Sequence, residues 1–336
     1  MKNADFLTGI TTSGTPHLGN FVGAIRPAVA SSKDPHLTSY YFLADYHSLI
    51  KNHDPEKRQA STLQIAAAWI ALGLDHENCV FYRQSDIPEI PELTWILTCL
   101  TAKGLMNRAH AYKAKVQENE TAGNKDPDQA ITMGLFSYPI LMAADILMFN
   151  AKKVPVGKDQ VQHLEMTRDI AAKFNHVYEK LFVLPEVVVD DNTAVLSGLD
   201  GRKMSKSYNN FIPLFDTQKR LRKRIMKIQT KSLGPDEPKD PDTCTLFSIF
   251  RAFATDAETR AMAERYRAGI AWGAMKQELF DYIDAILAEP RQRYDELIKN
   301  PKDIEDILAK GADKARAFSG PFLKKIRSAV GIRSLG

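Results

Sequence analysis

Through the first two thirds of the chain, short runs of apolar and aromatic residues alternate with longer stretches whose apolar positions recur every three or four residues. Phe6 to Ile10 predicts a buried strand, and the turn Thr11-Thr12-Ser13-Gly14-Thr15-Pro16 feeds a helix beginning near His17. Pro27 has no N–H to give and predicts a kink or an end to that helix. Ser39 to Ala44 predicts a second strand and Cys79 to Tyr82 a third, with a helix from Pro55 to Leu72 between them. A helical pattern from Glu92 to about Ala114 gives way to the polar stretch Val116 to Gln129, which reads as an exposed, mobile loop. Helix resumes near Ser137, a strand is expected over Lys152 to Val156, and another helix over Gln160 to Phe174. Strands alternating with long helices predict an α/β fold, a doubly wound parallel sheet covered on both faces. Beyond Phe211 no strand is expected, and the remainder reads as an all-helical C-terminal domain.

Composition narrows this picture. With 336 residues, 44% of them hydrophobic, the chain is long enough for two domains. Its net charge of +4 suits a polyanionic partner without requiring one. Cys79, Cys99 and Cys244 are widely spaced, which argues against a disulfide framework and against a thiolate metal centre. No apolar run approaches the roughly 20 residues that span a bilayer, so a cytoplasmic protein without a membrane partner is expected. The first strand is not followed by Gly-x-Gly-x-x-Gly, which disfavours a nicotinamide or flavin enzyme on the same kind of sheet.

Three clusters carry candidate chemistry. Lys203-Met204-Ser205-Lys206-Ser207, preceded by Gly198 and Gly201, places two cations and two hydroxyls on one short segment, a combination that can hold the outer phosphates of a nucleotide. Far upstream, His17, Gly19 and Asn20 sit where a helix opens and phosphate is favoured. Between them, Tyr138, Met142 and Asp145 fall on one helical stripe in an apolar segment. A buried carboxylate needs a partner, so Asp145 either bridges to a neighbouring element or awaits a ligand donor. An indole, flat and apolar with one N–H, matches such a pocket, whereas a benzyl group would leave the acceptor unpaired. Gly157 to Gln160 follows a strand and precedes a helix, the place where doubly wound sheets bind ribose; Asp159 with Gln162 also fits a capping box. The basic amphipathic stretch Lys219 to Lys227 suits phosphate contact.

Taken together, the lysine pentapeptide and the His17-Leu18-Gly19-Asn20 step resemble the two signatures of the class I aminoacyl-tRNA synthetases, in the expected order. Tyr138 to Phe149, with its Met-Ala-Ala-Asp step, and Val154-Pro155-Val156-Gly157-Lys158-Asp159-Gln160 resemble the tryptophanyl branch of that family, and the tyrosyl pattern is absent. The resemblance implies a Rossmann-type catalytic domain over residues 1–210, with a helical insertion and mobile loop near 113–136, and a helical domain over 211–336 that binds the tRNA anticodon. It implies catalytic roles for His17, Asn20, Lys203 and Lys206. ATP contacts are implied for Thr11, Thr12, Ser13, Gly19, Asn20, Gly157, Lys158, Asp159, Gln160, Val195 and the segment Lys203, Met204, Ser205, Lys206, Ser207. Tryptophan contacts are implied for His47, Tyr138, Met142, Asp145, Val154 and Val156, and phosphate or tRNA contacts for Lys113 and Lys115 on one side of an extended segment. The substrates implied are L-tryptophan, ATP with Mg2+ and tRNA(Trp), handled by a homodimer with no structural metal.

Overall fold

The structure, a computed structural model, describes residues 2–157, 160–189, 196–206 and 208–335. Five parallel strands form its sheet: β1 (Phe6–Thr11), β2 (Ser39–Ala44), β3 (Val80–Arg83), β4 (Lys153–Val156) and β5 (Glu186–Val189), in the order β3-β2-β1-β4-β5. The chain steps outward from β1 to β3 and then returns to place β4 on the other side of β1. That reversal opens a crevice at the carboxyl ends of β1 and β4, where sheets of this kind bind ligands. The expected strands are present within one residue at each end. The fifth was not anticipated. Its signal, Val187-Val188-Val189, is a short edge run, and pairing with β4 from Lys153↔Glu186 to Val156↔Val189 is what makes it a strand.

Strand β2 is buried throughout and divides its side chains between two cores. Tyr41 and Leu43 face one, built with the helix Pro55–Ala71 and the C-terminal helices; Tyr40, Phe42 and Ala44 face the other, built with Glu89–Leu100, Met133–Leu147 and Val161–Val177. The period of two along a strand is what fills both layers at once. The last helix, Pro301–Ala329, joins the cores: Ile304 and Leu308 enter the first, Ala315, Phe322 and Leu323 the second. It crosses β3 at Gly311, where a Cβ would lie 1.7 Å from the Phe81 carbonyl oxygen. Lys314 donates to the carbonyls of His76 and Glu77, and Arg83 pairs with Glu305. The helical third therefore folds back onto the sheet.

Two local expectations need correction. Pro27 does not end the helical path: Leu18–Asn20 passes through a π-helical turn, Phe21–Ile25, into Arg26–Ser32, with Pro27 in the first turn of the last piece. In the widened turn the Arg26 N–H reaches back to Phe21, and the N–H that proline lacks falls just beyond it. The stretch from Val116 is likewise not a loop until after Thr121, because His110–Thr121 is a helix. Gln117, Glu118 and Glu120 are good helix formers, and Lys115 pairs with Glu118 one turn on, so the polarity marked an exposed helix. Beyond it, the buried Asn119 amide ties down the turn by donating to the carbonyls of Pro127 and Gln129. No helix among the described residues is long and apolar enough to cross a membrane.

Candidate active site

One side of the candidate site is built where β1 ends. His17, in extended backbone, caps the helix it precedes: the Asn20 N–H donates to His17 Nδ1 at 3.3 Å, and the His17 N–H donates to the Asn20 side-chain oxygen at 3.0 Å. Because Nδ1 accepts, the proton of the neutral ring is on Nε2. Burial, followed by the charge of Lys206, pushes the His17 pKa down to about 4, so the ring is a neutral donor at pH 7. Gly19 keeps this cap possible: a Cβ there would come within 3.0 Å of Nδ1. Backbone bonds from Leu18 to Ile212 and from Leu214 to Pro16 join this turn to the chain that follows the lysine segment.

That segment closes onto the same turn. Its base is a bridge between Ser197 and Lys203, and its organiser is Asn210, a residue the sequence reading passed over. The buried Asn210 amide donates to Asp200 at 2.7 Å and to the Lys203 carbonyl at 3.1 Å, while its oxygen accepts from the Ser205 N–H at 2.8 Å. Gly198 makes room for it, since a Cβ would lie 2.4 Å from the amide carbon. Met204 is buried, Lys203 is exposed, and Lys206 donates to the Ser13 carbonyl and lies against Gly14. Burial pushes the Lys206 ammonium down to about 8.

Between these turns and the helix Met133–Leu147 opens a cavity of about 680 Å³. Its walls bring together Thr11, Ser13, His47, Tyr138, Met142, Asp145, Val154, Val156, Gly157 and Gln160, all expected site residues. Thr12 is not among them; it is fully buried, its hydroxyl without a hydrogen-bond partner. Lys158, Asp159, Val195 and Ser207 lie outside the described residues. The capping box expected of Asp159 with Gln162 therefore also lies outside the described residues; the Gln162 side chain accepts from the His110 N–H and donates to the Arg108 carbonyl. Lys113 and Lys115 do not share one side of an extended segment, because two positions on a helix point in nearly opposite directions; Lys113 is exposed and Lys115 pairs with Glu118.

Asp145 forms the floor, 1% exposed. One carboxylate oxygen accepts from the Gln84 amide at 2.7 Å, and the other is 2.9 Å from His47 Nε2. The Gln84 orientation follows from its other end, where the Tyr46 N–H donates to Oε1 at 3.1 Å, leaving the NH₂ for Asp145. His47 belongs to a short helix, Asp45–Ser48, directly after β2, and Gln84 directly follows β3, so two adjacent strand ends deliver both partners. Burial raises the Asp145 carboxyl above the usual carboxylate range, and the bonds from His47 and Gln84 oppose it. Asp145 thus bridges to neighbouring elements and faces the cavity as well. Gln84 was missed in the sequence; its only signal was a polar residue at the carboxyl end of a parallel strand. Among the described residues no group of three or more His, Cys, Asp or Glu side chains is disposed to hold a metal ion.

A family model described as tRNA synthetases class I (W and Y) matches residues 1–288. The tryptophan–tRNA ligase of Pseudomonas aeruginosa is 59% identical over 332 residues, 98% of this chain and 74% of its own. That of Neisseria meningitidis is 58% identical over 335 residues, covering 100% of both chains. Among solved structures, a tryptophanyl-tRNA synthetase from Campylobacter jejuni complexed with ADP and tryptophan is similar with a TM-score of 0.88 and 41% identity, over 97% of this chain and 99% of that one.

Proposed function

The chain belongs to the class I tRNA synthetases of the tryptophan and tyrosine group, and from that premise we propose how its residues carry out the work of a tryptophan–tRNA ligase. The reaction activates L-tryptophan with ATP to tryptophanyl-adenylate and pyrophosphate, then transfers the tryptophanyl group to tRNA.

The observation that carries the assignment of roles is the buried Asp145 carboxylate with two donors already in place. An ionised carboxylate has about four lone-pair sites, so an acceptor position remains for the indole N–H. Gln84 and His47 fix the group and oppose the rise that burial gives its pKa, and Met142, Val154 and Val156 border the ring. Phenylalanine is rejected because it leaves that acceptor unpaired in a dry site. The substrate carboxylate, ionised at neutral pH, attacks the α-phosphate of magnesium ATP without a protein base. His17 Nε2–H donates to the phosphates as charge builds, with Asn20 beside it. Lys206 leaves the Ser13 carbonyl for the departing pyrophosphate, joined by Lys203, so that stabilisation is strongest as the bond breaks. Thr11, Ser13, Gly157 and Gln160 line the adenosine side.

The helix Gln218–Met226 buries Leu221 and Ile225 while Lys219, Arg220 and Lys223 stay in solvent, a charged face suited to the tRNA backbone. The helices of 211–336 take the anticodon, the enzyme works as a homodimer, and it works in the cytoplasm with its tRNA. ATP–pyrophosphate exchange across a panel of amino acids tests the substrate assignment. Exchange with tryptophan and not with tyrosine or phenylalanine is expected, and exchange driven by tyrosine alone overturns it.

A further inference from the structure

Among the described residues the His17 imidazole makes one hydrogen bond, the 3.3 Å contact from the Asn20 N–H to Nδ1. A bond at Nδ1 fixes one atom of the ring and leaves its plane, and with it the direction of Nε2–H, to the neighbours. The ring in contact is Phe211, its centroid 6.0 Å away and its plane inclined by 50°. Phe211 is half-buried on the chain that leads out of the lysine segment, and its backbone is registered against His17. The Leu18 N–H donates to the Ile212 carbonyl at 3.0 Å, and His17 bridges to Pro213.

Phe211 is itself backed. The Arg224 guanidinium lies over its ring at 5.9 Å from the centroid, and Arg224 Nε donates to Asp216 at 2.9 Å. Asp216 is buried, and its other oxygen accepts from the Thr217 N–H at 3.1 Å. An anion thus fixes a cation, the cation sits on an aromatic face, and that ring bounds the imidazole. Arg224 belongs to the helix Gln218–Met226, which is tied in turn to Trp272–Lys299. Gln218 donates to Asp284 at 2.7 Å, and the Lys276 ammonium donates to the Met226 carbonyl at 3.0 Å. The support behind His17 is therefore anchored in the helical third, not in the sheet that carries the histidine.

We propose that Phe211 is the positioning residue that aims the His17 Nε2–H at the phosphates, with Arg224 holding Phe211 in place. This rests on the reading of His17 as a phosphate donor. Neither Phe211 nor Arg224 touches substrate. Their contribution is direction: a donor that matters as charge builds must already point where the charge will be.

The test uses the full chain and tryptophan-dependent ATP–pyrophosphate exchange. Phe211→Leu is expected to lower kcat about tenfold with the tryptophan KM within about twofold of wild type, the scale of a misdirected catalytic group. Phe211→Tyr, which keeps the ring, retains kcat within about twofold. Arg224→Gln lowers kcat about threefold, and it is the variant to read if the leucine variant does not fold. His17→Asn leaves no Nε2–H to aim, so in that background Phe211→Leu adds less than about twofold, because neighbours that act as one unit are not additive. Full additivity with His17→Asn, a loss carried by the tryptophan KM with kcat intact, or a tyrosine variant as poor as the leucine one overturns the proposal and leaves Phe211 as packing. An unchanged kcat in His17→Asn alone is a separate result and overturns the reading of His17 as a donor instead.

Discussion

The two ends of the cavity are built on opposite principles. At the floor, Asp145 is nearly inaccessible, both of its oxygens are engaged, and the Gln84 that holds it is itself fixed by a backbone N–H. At the mouth, beside Ser13, Lys206 crosses to that residue's backbone carbonyl from a segment held by the Ser197–Lys203 bridge and by the Asn210 amide. The floor has nothing to rearrange when an indole arrives. In the proposed reaction the mouth must exchange the Ser13 carbonyl for phosphate as the partner of its lysine. Selection of a ring calls for rigidity, since a fixed, desolvated acceptor penalises the wrong ligand. Stabilising a charge that exists only as a bond breaks calls for a group whose strongest interaction comes late.

If that contrast is right, substitutions at the two ends separate in the kinetics. The largest effect is expected for Lys206→Ala, with kcat for pyrophosphate exchange down by about a hundredfold to a thousandfold and the tryptophan KM little changed. A KM effect of that size with kcat intact would place Lys206 in ground-state binding and break the comparison. Asp145→Asn should lower the preference for tryptophan over phenylalanine by about a hundredfold, because the amide must share its face between donor and acceptor. Unchanged ratios of kcat/KM for the two amino acids remove Asp145 from selection.

Gln84→Leu should raise the tryptophan KM by about tenfold and lower unfolding free energy by roughly 1–3 kcal/mol, since it removes a buried donor from one Asp145 oxygen and leaves the Tyr46 N–H to the Asp45 carboxylate alone. Denaturant titration alongside exchange kinetics reads both, and a neutral result in each means the floor is not held as described. Asn210→Ala is expected to cost about tenfold in kcat through a loosened segment, without altering the tryptophan KM; a rise in that KM would tie the two ends together.

The smallest effect is in pH dependence. Lys206, pushed down to about 8, is a cation below that pH, so kcat/KM for ATP should decline as pH rises through about 8. His17, near 4, is neutral across the range above it and adds no limb near neutrality. A profile that rises through pH 8 contradicts a phosphate-binding role for the Lys206 ammonium.

The parts of the molecule that were legible in advance are those whose reason is local. Strands β1 to β4 show as apolar runs bounded by turn residues, and the stripe of Tyr138, Met142 and Asp145 follows from helical spacing alone. The lysine segment and His17-Leu18-Gly19-Asn20 are contiguous, so their chemistry could be read without knowing where they lie. Polarity misled at Val116 to Thr121, where exposed helix and exposed loop have the same composition. The edge strand β5 was missed because four residues carry too little pattern without their partner.

The sequence by itself determined the layered fold, the residues proposed to handle phosphate and the presence of one carboxylate in an apolar helix. Only the tertiary structure decided what that carboxylate touches. Gln84 and His47 reach it from two different strand ends, 61 and 98 residues away along the chain. Asn210 closes the lysine segment across a turn, and Gly311 is required by a carbonyl on β3 that no local pattern reveals. Periodicity reports which face of an element is buried. What that face is buried against depends on how the strands are ordered, and so does the identity of the group that satisfies a buried charge.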